Sequence, residues 1–184
     1  MDGPGRSVVA EVAAVGRPAA EVTADLAAEA EVLAAGAPVQ AGKPMRTREF
    51  LSKLEHAAIV KAIRDAESKT SGEIRVFVQR GELKDDPVIA AQKRFRRLGL
   101  HKNSQRNDVL IFVAPRAHKF AIVGDEAIHQ KCGEELWQRL VERMREHFQN
   151  EKFSHALIEA IHEIGDALAA HFPKGSTSTG HREQ

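Results

Sequence analysis

An α/β domain, with a small mixed sheet held between helices as a three-layer-like sandwich, is the fold class that three observations predict. The stretch NDVLIFVAPRAHKFAIVGDE at 107–126 holds two apolar runs, 109–114 and 119–123, separated by Pro115, Arg116, Ala117 and His118. Runs of β-branched and aromatic residues bounded by turn formers read as a hairpin whose strands are covered on both faces. Residues 73–79 alternate, with Ile74, Val76 and Val78 on one side and Glu73, Arg75, Phe77 and Gln79 on the other, the pattern of a half-buried strand. A helical pattern lies between this strand and the hairpin. Strand, helix and strand make a βαβ unit, so the first strand is expected to run parallel to 109–114.

The elements follow in chain order. Residues 1–44 are rich in alanine, valine, glycine and proline and read as a flexible extension, with 45–173 as the compact domain. Ser52-Lys53-Leu54-Glu55 has capping-box spacing and is expected to open the first helix, with Leu54, Ala58, Ile59, Ala62, Ile63 and Ala66 as its apolar face. After the break at Thr70-Ser71-Gly72 comes the first strand. Asp85-Asp86-Pro87 then supplies N-caps and a proline for a second helix carrying Val88, Ala91, Phe95 and Leu98, which Gly99 should end. Beyond the hairpin, Asp125 can cap a short helical turn that breaks near Gly133, before a longer helix burying Trp137, Leu140, Val141 and Met144. Ser154 can cap a last helix with Leu157, Ile161, Ile164 and Leu168 at three- and four-residue spacing, and the polar tail 174–184 is expected to be disordered.

Composition excludes several function classes. The formal net charge is +1, which gives no support to nucleic-acid or anionic-membrane binding. It divides unevenly, because residues 1–42 hold two arginines against six acids and the excess of base lies downstream. A single cysteine, Cys132, excludes an intramolecular disulfide and reads as a half-buried small residue. Acids interrupt the alanine-rich start, so no membrane span and no secretory signal is read there, and the expected location is cytoplasmic. No P-loop, dinucleotide fingerprint or nucleophile elbow is present.

The chemistry concentrates at one end of the sheet. A hairpin sets the start of its first strand beside the end of its second, so Asn107 and Asp108 should adjoin Gly124, Asp125 and Glu126. A parallel first strand adds Glu73, and loops bring Lys69, His101, Lys102 and Arg106 nearby. Hard divalent cations take carboxylate and amide oxygens, so Ca²⁺ or Mg²⁺ held by Asp108, Asp125, Glu126, Asn107 and Glu73 is the candidate metal centre. With Arg106 holding an anion, Asp108, Asp125 and Arg106 would form the catalytic set of a phosphatase acting on a phosphorylated substrate. Competing structural roles are an N-cap for Asp125, a turn for Asn107 and a lysine partner for Glu73. Alternation also sends Asn107 and Asp108 to opposite faces. His155, Glu159, His162 and Asp166 share a helical face with zinc-binding spacing, read as solvated surface because it lies opposite the apolar stripe. Arg94, Arg96 and Arg97 around Phe95 likewise read as a solvated face.

The strings TSGEIRVFV at 70–78, RFRRLGL at 94–100, RNDVLIFVA at 106–114, KFAIVGDEAI at 119–128 and FPK after the last helix resemble the TPM domain, in that order and at similar spacing. The resemblance covers about 48–173 and implies an α/β sandwich. It also implies a choice of function, since the family includes a thylakoid-lumen acid phosphatase linked to photosystem repair, calcium-binding relatives and a receptor-accessory branch. The expectations are therefore a divalent-metal-binding phosphatase or a non-catalytic protein-interaction or assembly/repair module. Asp108 and Glu126 stand where members often have glycine.

Overall fold

In a computed structural model, the described residues are 37–38 and 45–175, so most of the expected extension and tail lies outside them. The chain builds β1 (Ala37–Pro38), α1 (Thr47–Ser52), α2 (His56–Glu67), β2 (Ile74–Val78), α3 (Pro87–Arg97), β3 (Val109–Ala114), β4 (Lys119–Gly124), α4 (Glu126–Gln149) and α5 (Phe153–His171). Three strands form a small mixed sheet, and the two-residue β1 lies along the outer edge of β4. As expected, β2 runs parallel to β3, with Ile74 opposite Val109 and Val78 opposite Val113. The hairpin forms as read: Val109 faces Gly124, Ala114 faces Lys119, and a 3₁₀ turn at Pro115–Ala117 joins the strands.

Alternation along the strands divides the core into two layers. Ile74, Val76, Val78, Val109, Ile111, Val113, Phe120 and Ile122 pack with α2, α4 and α5 in one layer. Phe77, Leu110, Phe112, Ala121 and Val123 pack with Ala91 and Phe95 of α3 in the other. The sheet is thus covered on both faces, and β3 is buried along its whole length. The half-buried reading of β2 fails at Phe77, which stacks on Phe112 with centroids 5.7 Å apart. Arg94 of α3 lies over the Phe77 ring at 4.0 Å, so this member of the arginine cluster is a lid on the core rather than a solvated group.

Caps show where local reading held. Asp86 accepts from Val88 N at 2.9 Å, and Gly99 follows α3 in the left-handed conformation, φ 77°. Gly133 breaks α4 at φ 67°, ψ −178°, the expected interruption before Trp137. The capping box does not form. Ser52 Oγ donates back to Glu49 O at 2.7 Å and closes α1, while α2 starts at His56 with Glu55 N donating to Ser154 Oγ at 2.9 Å. Ser154 therefore holds the start of α2, not of α5, a long-range partner that no local pattern contains. Phe50 anchors α1, with its ring 5.0 Å from that of Phe153 and 6.2 Å from that of Phe148.

Candidate functional site

The amino ends of β2 and β3 and the carboxyl end of β4 gather the predicted acids, and each acid has a partner within the protein. Asp125, with no exposed surface, caps α4 by accepting from Glu126 N at 2.8 Å. Both its oxygens also accept from Arg106 Nε, at 2.8 and 3.0 Å. Arg106 is set for this bond by a left-handed backbone, φ 51°, and its carbonyl accepts from Ala127 N at 2.9 Å. The predicted anion holder is thus bonded to a buried carboxylate. Glu126 is half exposed, 4.0 Å from Arg106, and accepts from Gln130.

Asp108 is buried, and its Oδ1 accepts from Glu73 N at 2.9 Å and Asn103 Nδ2 at 2.7 Å. Burial pushes its carboxyl up to about 6; the bonds from Asn103 and Glu73 N oppose the shift, and the charges of Glu73 and Asp125 add to it. Asn107, also buried, accepts from the same Asn103 amide at 2.8 Å and donates to Ser71 Oγ at 3.1 Å. The expectation of opposite faces is corrected here: both residues precede the first residue of β3, so strand alternation does not govern them. Glu73 pairs with Arg75, not a lysine. Lys69 and Lys102 are exposed. His101 does come near: burial first, then the charges of Lys102 and Arg106, lower its pKa and favour the neutral ring.

Asn103 is the residue that sequence reasoning missed, and Glu67 is another, its Oε1 accepting from Ile74 N at 2.8 Å. Burial pushes the Glu67 carboxyl up, and Glu73 adds to the shift. A polar loop of the form N-x-x-x-N-D was the available signal for Asn103. Cys132 is half-buried as read, and burial raises its thiol pKa, which disfavours the reactive thiolate.

A second region lies at the opposite end of the sheet. A pocket of about 660 Å³ is lined by Arg46, Thr47, Arg48, Leu51, Arg80, Gly81 and Arg116. Three elements deliver the arginines. Phe50 seats α1, and Thr47 Oγ1 donates to Gln79 O at 3.3 Å. Gln79 N donates to Val113 O at 2.7 Å, which carries the β2 ladder one residue past the strand and positions Arg80. Arg116 projects from the hairpin turn. Among the described residues none of these four guanidinium groups has a carboxylate partner. No sequence motif announced this pocket, because its residues are scattered over seventy positions of turns and helix ends.

The TPM domain family model matches residues 45–167. Among solved structures, the chain is similar to the BA42 protein of the psychrophilic bacterium Bizionia argentinensis, at 36% identity and a TM-score of 0.59, over 64% of this chain and 80% of that one. No curated protein matches. No described helix is long and apolar enough to cross a membrane. The match over 45–167 and the fold shared at this identity establish that the chain belongs to the TPM domain family.

Proposed function

We propose that this TPM-domain chain is a binding module for phosphorylated or similarly polyanionic groups, which it takes in the arginine pocket at the carboxyl ends of β2 and β3. The observation that carries the reading is that Arg46, Arg48, Arg80 and Arg116 all line one pocket and have no carboxylate partner among the described residues. Guanidinium groups offer forked donors matched to phosphate oxygens. The position fits as well, since ligands of open α/β sheets bind outside the carboxyl ends of parallel strands. Six strand residues at roughly 3.3 Å each put this pocket on the order of 20 Å from Asp108 and Asp125, so one small phosphate ester cannot engage both ends.

Calorimetric titration of the full chain with pyrophosphate and with a phosphoserine peptide tests this. Saturable binding that falls about tenfold, or 1.4 kcal/mol, in Arg48→Ala and Arg116→Ala supports the module. Equal affinity in wild type and variants sinks it.

One observation favours a second reading, a metal-dependent phosphatase at the acidic end. Both hydrogen bonds to Asp108 use Oδ1, which leaves Oδ2 for a ligand, and a pKa near neutrality suits acid–base work. The matching family model also carries phosphatase in its name. The donor set fits Mg²⁺, which keeps several waters and takes one or two carboxylates, better than Ca²⁺ with its six to eight oxygens, because both oxygens of Asp125 are engaged by Arg106. Titration with Mg²⁺ and Ca²⁺ decides it: binding lost in Asp108→Asn supports the phosphatase, and no binding removes it.

A further inference from the structure

We propose that His147, His155 and Glu159 form a Zn²⁺ site where α4 meets α5. His155 and Glu159 stand one helical turn apart on α5, spacing that puts two side chains side by side. His147 arrives from the last turn of α4. The reversal at 150–152, with Glu151 at φ 55° and Lys152 N donating to His147 O at 2.9 Å, folds that turn back over the start of α5.

The three groups converge through the atoms that would bind metal. Nε2 of His147 lies 2.7 Å from one oxygen of Glu159, and Nε2 of His155 lies 3.2 Å from the other. One ligand atom from each residue can be chosen so that all lie within 4.8 Å of one another. Bonds of about 2.0–2.1 Å in a tetrahedral site set ligand atoms roughly 3.3 Å apart, so side-chain shifts of up to about 1.5 Å admit the ion. Two imidazoles and a carboxylate suit a borderline ion such as Zn²⁺ rather than Ca²⁺ or Mg²⁺, which prefer all-oxygen sites. The His155 and Glu159 side chains are 56% and 41% exposed, so the ion can enter and water can fill the fourth position. Arg143, one turn before His147, is the nearby cation, and Glu163 engages it at 3.3 Å. His162 and Asp166, on the α5 face that the sequence reads as solvated surface, are exposed and take no part; the third ligand comes from another helix.

The test is calorimetric titration of the chelator-treated full chain with Zn²⁺, together with Co²⁺ absorption spectra. One saturable equivalent with tetrahedral Co²⁺ bands is expected, and His147→Ala or His155→Ala should weaken binding at least about tenfold, the loss that changes even in the outer shell cause. His162→Ala should bind as wild type. His155 is exposed, so its variant keeps the test valid should His147→Ala fail to fold. Absence of saturable binding by the wild type, or equal binding by the His155 variant, overturns the site.

Discussion

The two ends of the central sheet use charge in opposite ways. At the amino ends of β2 and β3, Asp108, Asp125 and Asn107 are buried and hydrogen-bonded to Asn103, Arg106, Ser71 and backbone N–H groups. At the carboxyl ends, Arg46, Arg48, Arg80 and Arg116 are exposed around a pocket and lack carboxylate partners among the described residues. A buried polar group without partners is expensive, so the first end must satisfy itself to fold. An exposed guanidinium is free of that demand and can wait for a ligand. Charged residues near a sheet end therefore do not by themselves mark a site; their uncommitted valence does.

Substitutions should separate the two ends, beginning with the largest effect. Asp125→Ala removes the cap of α4 and the partner of Arg106, and should cost about 3–5 kcal/mol of unfolding free energy in a denaturant titration. Asp108→Asn should act through pH. The folded carboxyl titrates at about 6, above the ordinary 3.8, so between about pH 4 and 6 the native state holds more protons than the unfolded chain and stability falls as pH rises. The substitution removes that slope, leaving melting at pH 4 little changed and raising stability at pH 7.5 by up to about 3 kcal/mol. A wild type stabilised by Mg²⁺ at pH 7.5, with the variant indifferent, would move function back to the acidic end. Asn103→Ala unties Asn107 and Asp108 together and should cost about 1–3 kcal/mol in the same unfolding experiment. Arg48→Ala and Arg116→Ala should change stability by less than about 0.5 kcal/mol while abolishing most pyrophosphate affinity.

Period and turn chemistry carried most of the fold. The hairpin, the Asp86 and Asp125 caps, the Gly133 break and the buried stripe of α5 were legible because each depends on neighbours in sequence, and the parallel β2 because the βαβ unit has a preferred hand. What failed depended on distant partners. Ser154 belongs to the start of α2, and Phe77 is covered by α3. The acidic end was located correctly by hairpin geometry, but a list of carboxylates does not reveal which oxygens are already bonded; Asn103 and Arg106 decide that. The arginine pocket was invisible for the same reason, being assembled by Phe50 packing and by the ladder extended through Gln79.

We propose that ligand enters at the arginine end and that the acidic end is structural. Titrating the isotopically labelled chain with pyrophosphate and following backbone amide shifts compares both ends at once. Saturable shifts are expected at Thr47, Leu51, Gly81 and Arg116, with Asn103, Asp108 and Glu126 unmoved. Shifts confined to Asn103, Asp108 and Glu126 would contradict it.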